Sequence, residues 1–268
     1  MRLDTTSVNT KTFFKKFEIV GSRTCEKCGN EVNIIKTVRG DIEETVSDCI
    51  NCENMAIQQN LEKFIAESKG REHEHIFNRF SIVPNDLLSA SLENYIPKHS
   101  TQEKALKWAI GYVQKFDQLN NIKSLLLRGN YGVGKSHLAK GIADQIKQQG
   151  KIVIYVDVPG LLRQIKDTFG TNESAKDIYK AIEKADLVVF DDLGAENVRL
   201  DGKGDSWASS ELFEIITSRT GKPNIFTTNC EPEELIKKYG SNGGRIVSRI
   251  MKGTESLKIE GNDQRLQN

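Results

Sequence analysis

The stretch Gly129-Asn130-Tyr131-Gly132-Val133-Gly134-Lys135-Ser136 decides the fold. It follows an apolar run, Ile122 to Leu127, and opens a helix with Leu138, Ile142 and Ile146 on one face and Gly150 as its stop. Strand, glycine-rich loop and helix in that order are the setting of a phosphate-binding loop. Glycines let backbone N–H groups close around phosphate oxygens, and the helix N-terminus favours negative charge. Gly129 through Ser136, with the adjoining His137, are therefore the candidate nucleotide contacts. Lys135 is expected to reach the β and γ phosphates of ATP, and the Ser136 hydroxyl to coordinate Mg²⁺.

Outward from this loop the chain alternates short apolar runs with amphipathic helices. The runs are Ile152 to Val156, Leu187 to Phe190, Asn224 to Thr227 and Leu257 to Ile259. Near-continuous apolar strands between helices predict an α/β fold with a parallel sheet covered on both faces. Upstream, Ser100-Thr-Gln-Glu103 carries the pattern of a capping box opening a helix. The run at Leu187 ends in Asp191-Asp192, and an acid at the tip of a parallel strand is expected to face the ligand crevice. Asp191 would hold Mg²⁺ through water, and Asp192 would orient or deprotonate the attacking water. Asn229, at the end of the following strand, is the candidate for placing that water beside the γ-phosphate. One strand lies in sequence between loop and acidic pair, an order that suits sheets with a central strand inserted between the two phosphate-site strands.

Four of the five cysteines form two clusters, Cys25-Glu-Lys-Cys28 and Cys49-Ile-Asn-Cys52. The doubled spacing predicts a zinc ribbon, with four thiolates closing a structural Zn²⁺ site. Cys230, at the end of an apolar strand, reads as a small hydrophobe. Between the clusters and the ATP-binding part, Ile57, Leu61, Phe64 and Ile65 recur at helical spacing. This segment is either a plain linker helix or one whose apolar stripe docks on a partner protein. His73 and His75 follow on a charged stretch and lack a third ligand. The expected organisation is a zinc-binding module over 1–54, a helical linker over 55–78 and an ATPase domain over 79–268.

Composition bounds what such a chain does. It has 268 residues, 37% hydrophobic and 28% charged, and 38 basic against 37 acidic side chains leave a formal charge of +1. That balance excludes a general polyanion coat, so any nucleic-acid contact must come from a local stripe. No apolar run approaches the roughly 20 residues of a membrane helix, and Lys11, Lys15 and Lys16 break up the N-terminal segment around Phe13 and Phe14. No membrane partner and a cytoplasmic setting, in a bacterium or a phage-infected one, are expected.

Together the residues from about 79 to 268 resemble the AAA+ family, and specifically the replicative-helicase loaders of the DnaC/DnaI type. The resemblance is carried by Asp191-Asp192-Leu-Gly-Ala-Glu196, Lys166-Asp-Thr-Phe169, Arg245-Ile-Val-Ser-Arg249-Ile and Gly261-Asn-Asp-Gln-Arg265. A cysteine module ahead of such an ATPase looks like the DnaI branch. The resemblance implies that Arg249 is offered to a neighbouring subunit's γ-phosphate and that Arg265 senses nucleotide. Arg245, one helical turn away, either steadies that interface or is itself the finger. It further implies that a helical element over 159–184 lines a DNA path, with Phe169 stacking on bases and Lys166 near phosphates. Arg199 and Lys203 are weaker candidates, and core packing is the competing role for Phe169.

Two departures bear on activity. Asp192 stands where many relatives carry Glu, which implies a weak or partner-dependent ATPase. The sequence runs only three residues past Arg265, so closure over nucleotide is expected to lean on neighbouring subunits. The implied function is ATP-dependent placement of a hexameric replicative DNA helicase on single-stranded DNA, by copies assembled through their ATP sites as a hexamer or spiral. Two alternatives remain: a transposition helper of the IstB type acting with a transposase on duplex DNA, and a module using ATP only as an assembly ligand.

Overall fold

The computed structural model describes residues 17–39, 42–121, 123–169, 175–202, 204 and 206–266. Ile122, Lys203, the basic residues around Phe13 and Phe14, and 170–174 of the expected DNA arm lie outside them. The chain forms two compact units, Met1–Ser68 and Lys69–Asn268.

In the first unit, β1 (Phe17–Thr24), β2 (Glu31–Arg39) and β3 (Ile42–Val46) make an antiparallel sheet in that order. Cys25 and Cys28 occupy the turn after β1. Cys49 immediately precedes α1 (Ile50–Phe80), and Cys52 lies in its first turn. The second pair thus sits on a helix start. The buried apolar group of this unit is only Cys25, Val32 and Cys49, among the described residues. α1 is continuous through His73 and His75, and the boundary between the units falls inside it, within the segment expected to be a linker.

The second unit is built on five parallel strands in the order β5-β6-β7-β4-β8. They are β4 (Ser124–Arg128), β5 (Val153–Asp157), β6 (Leu187–Leu193), β7 (Asn224–Thr228) and β8 (Thr254–Lys258). β7 lies between the loop-bearing β4 and the acidic β6, the inserted-strand order expected from the sequence.

Alternation along the strands divides the core. Leu125, Leu127, Tyr155 and Val189 pack under α2 (Ser100–Gln114) and α3 (Lys135–Gln148). Leu126, Val156, Phe190 and Phe226 pack under α4 (Val158–Asp167), α5 (Ala175–Lys184), α6 (Trp207–Ser218) and α8 (Gly243–Met251). The short α7 (Pro232–Lys238) precedes α8 and opens with a capping box formed by Glu231 and Glu234. At α2 the expected box is not made. His99 is the N-cap there, its ring nitrogen accepting from Thr101 N–H, so Ser100 is already helical.

Candidate nucleotide site

Consecutive strand ends and the loop after β4 enclose a cleft of about 590 Å³. Tyr131, Gly132, Gly134, Lys135, Ser136 and His137 line one wall. Gly132 and Gly134 have φ of 68° and 91°, a region glycine adopts freely. A Cβ on Gly134 would lie 2.5 Å from the Tyr95 ring, so packing demands glycine there as well. The other three residues of the motif serve the loop from outside the cleft. Val133 is fully buried, and its carbonyl accepts from Tyr95 and Gln102. Asn130 offers its carbonyl to Lys135, and Gly129 lets Ile259 approach where a Cβ would collide. His137 reaches the Ser91 carbonyl and Asn94 Oδ1 at 2.9 and 2.7 Å and packs edge-on against Tyr95.

Lys135 is the charged centre of the cleft. It is only 5% exposed, and its ammonium donates to Asn130 O and Asn229 Oδ1, each at 2.7 Å. Burial pushes it down to about 8, against the opposing pull of Asp192 and Asp191. A triphosphate alongside would raise it again, so binding above that value takes up a proton. ATP affinity is therefore expected to fall, by up to tenfold per unit, as pH climbs from about 8 towards 10. Calorimetry in buffers of different ionisation enthalpy would register the uptake; an affinity flat from pH 7 to 10 would contradict it.

Asp192 faces Lys135 across the cleft. Its φ of 55° makes it the one non-glycine residue with positive φ among those described. Its N–H donates to Thr227 Oγ1 at 2.9 Å, which holds this turn. Burial, then Asp191 and Asp157, push its carboxyl up, while Lys135 and Arg265 hold it down. A carboxylate made more basic at this point suits the task of accepting a proton from water. Asp191 differs from expectation: it is buried and does not line the cleft. It sits directly behind the lining, where its charge acts on Lys135 and Asp192 and its two oxygens accept from Tyr155 at 2.6 Å and Thr227 at 2.5 Å, each keeping a lone pair for a water.

Arg265 does line the cleft, with its guanidinium 3.5 Å from Asp86 in the short 3-10 turn Asn85–Leu87. Asp263 packs over Gly132, and Gln264 N–H donates to the Gly132 carbonyl, so the C-terminal segment closes on the loop itself. Asp86 and Tyr95 gave no sequence signal, because only the fold brings them to the site; Asp263 and Gln264 lie in the Gly261–Arg265 run, from which the sequence singled out Arg265 alone. Arg249 and Arg245 stand apart from the cleft on α8, their guanidinium groups 4.4 and 4.2 Å from the Phe213 ring centre. Neither forms an ion pair among the described residues.

The expected DNA residues come together elsewhere on this unit. Lys166 and Arg199 border a recess of about 400 Å³ with Trp207, which the sequence reading missed. Phe169 is 58% exposed, which removes core packing as its role, and it meets Trp207 edge-on at 5.6 Å. An isolated Trp after a glycine-rich loop has no periodicity to reveal it; its place just beyond the Asp191-Asp192 motif was the available hint.

In the first unit the sulfurs of Cys25, Cys28, Cys49 and Cys52 lie within 4.8 Å of one another. Cys25 to Cys52 is 3.6 Å and Cys28 to Cys49 is 3.5 Å. A tetrahedron of ~2.3 Å Zn–S bonds has edges of about 3.8 Å, so the set fits zinc. Backbone N–H groups of Cys28 and Lys27 pull the Cys25 thiol down to about 6, while the sulfurs of Cys28 and Cys25 push Cys52 up to about 12: four thiols this close cannot all ionise unless a cation joins them. Cys230 packs against the sheet core as expected. No helix among the described residues is long and apolar enough to cross a membrane.

Comparison with known proteins agrees with this geometry. The family described as IstB-like ATP binding protein matches residues 44–268. The replicative helicase loader DnaC of Escherichia coli (strain K12) is 30% identical over 188 residues, 70% of this chain and 73% of that protein. The replicative helicase loader DnaI of Bacillus subtilis (strain 168) is 19% identical over 268 residues, 95% of this chain and 83% of that protein. A crystal structure of the DnaC helicase loader superposes with a TM-score of 0.56 at 26% identity, covering 66% of this chain and 100% of that one. The crystal structure of DnaI, at 23% identity and a TM-score of 0.57, shares the fold over 69% of this chain and 95% of that one. The chain therefore belongs to the IstB-like ATP-binding proteins, on the branch of AAA+ ATPases that holds DnaC and DnaI.

Proposed function

We propose that this protein is an ATP-dependent loader that binds a hexameric replicative helicase and helps place it on single-stranded DNA. One observation carries the reading: a cleft supplied with base, lysine and Asn229, while the α8 arginines stand outside it without a carboxylate partner among the described residues. ATP phosphates would sit on the loop N–H groups and draw the Lys135 ammonium from Asn229. The freed amide then orients a water for Asp192. Ser136 would hold Mg²⁺ directly and Asp191 through water, and the ion supplies charge neutralisation on the phosphates. Arg249 from an adjacent copy completes the pocket, so ATP joins subunits into a hexamer or spiral.

The first unit supplies the helicase contact. Ile57, Leu61, Phe64 and Ile65 are exposed along one stripe of α1, beside the cysteine module whose Zn²⁺ would hold it folded. On the second unit, Phe169 and Trp207 offer base-stacking faces, with Lys166 and Arg199 for phosphates.

The test is transfer of a replicative helicase onto circular single-stranded DNA, with DNA affinity measured at fixed salt. Trp207→Ala and Phe169→Ala are each expected to weaken single-strand binding by about 1–3 kcal/mol and to lower loading. A protein that binds no replicative helicase would end the proposal. Preference for duplex over single strands would favour the transposition-helper reading, which the family name suggests and the cysteine module and loader relatives disfavour.

A further inference from the structure

Behind the cleft, three strands are joined by a hydrogen-bond chain that passes through Asp191. Tyr155 of β5 is fully buried in the layer beneath α3, and its phenol donates to Asp191 Oδ2 at 2.6 Å. From β7, the Thr227 hydroxyl donates to Asp191 Oδ1 at 2.5 Å and accepts from Asp192 N–H at 2.9 Å. The carboxylate is thereby fixed in rotation from both sides, with one lone pair on each oxygen left uncommitted.

A buried position in a parallel sheet is ordinarily filled by Val, Ile or Leu. A phenol there is costly unless its hydroxyl is bonded, and Asp191 is its one acceptor among the described residues. β5 then ends at Asp157, which accepts Gly160 N–H at 2.9 Å and caps α4.

We propose that Tyr155, together with Thr227, is a positioning residue for the metal–nucleotide site: it holds the Asp191 carboxylate in place to accept a water of a divalent cation at Ser136. This rests on the ATP-site reading above. Removing such a partner from a direct metal ligand typically costs 10–100-fold in metal affinity, and behind a carboxylate that acts through water the lower end of that range applies.

Tyr155→Phe removes one oxygen from a position that otherwise wants an apolar ring, so the sheet is expected to persist. The measurement is binding of a fluorescent ATP analogue, titrated with Mg²⁺ in the full chain, with thermal unfolding in parallel. The half-saturating Mg²⁺ concentration is expected to rise about tenfold in Tyr155→Phe, with affinity in the absence of Mg²⁺ unchanged. Thr227→Val is expected to share this signature and Thr227→Ser to restore the native value; this pair carries the test if Tyr155→Phe does not fold. Asp191→Asn is the control. If it alters the Mg²⁺ dependence while Tyr155→Phe and Thr227→Val shift only the unfolding temperature, the positioning role is overturned and the ATP site stands. If Asp191→Asn leaves Mg²⁺ dependence intact, Asp191 has no part in the metal site, and the inference falls with that assignment.

Discussion

Arg249→Ala is expected to bind ATP normally, hydrolyse it about 10³-fold more slowly or worse, and lose ATP-dependent assembly. The magnitude is that of an arginine supplied to a transferring phosphoryl group by a neighbouring subunit. Its structural basis is the placement of α8. Arg245 and Arg249 share a face over Phe213, and Arg249 donates to the Arg245 carbonyl. Both are therefore held in position, yet neither lines its own chain's cleft or meets a carboxylate among the described residues. Two fixed cations on an aromatic face have a use if an anion arrives from another copy. Sedimentation velocity with and without ATP measures the effect. Normal assembly by Arg249→Ala alongside a monomeric Arg245→Ala would assign the finger to Arg245.

Removing zinc is expected to have the second largest effect, confined to the first unit. Structural zinc in small modules supplies apparent binding energies of about 10–16 kcal/mol, which is folding energy when the apo form is unfolded. Here the described core of the unit consists of two of the four cysteines and Val32, while Ile19 and Val20 are exposed. Burial on that scale cannot hold a unit of this size. Cys25→Ser, or a chelator, should therefore abolish helicase binding and reduce the far-ultraviolet signal, while ATP binding persists. Both tryptophans, Trp108 and Trp207, lie in the second unit, so their emission should not change. A change in tryptophan emission on chelation, or retention of the full circular dichroism signal by metal-free protein, would contradict this division.

What the sequence revealed follows from how local each signal is. The phosphate loop is a contiguous motif in a required context, so strand, loop and helix could be placed from it, and the inserted position of β7 followed from strand order. The acidic pair was found, but its geometry was not. Asp191 is buried behind the cleft's lining, and the positive φ of Asp192 accompanies the entry of the second carboxylate into the cleft. The capping box at Ser100 was misplaced because the His99 ring caps the helix one residue earlier, accepting Thr101 N–H in the role a hydroxyl usually fills. Tyr95, Asp86 and Asp263 meet the loop from far along the chain, and Tyr155 looks like one more apolar strand residue until its hydroxyl is traced to Asp191. Trp207 belongs with Phe169 only because α4 and α6 pack on the same face of the sheet.

The central claim is that one copy's arginine completes another copy's ATP pocket. It is tested most directly by mixing two inactive variants, Lys135→Ala and Arg249→Ala, and measuring ATP hydrolysis across their ratios. The first lacks a working cleft but keeps its arginine, and the second has the reverse. Hydrolysis should reappear in the mixture, peak at intermediate ratios and vanish in either pure variant. Two folded variants that stay inactive at every ratio would contradict the account.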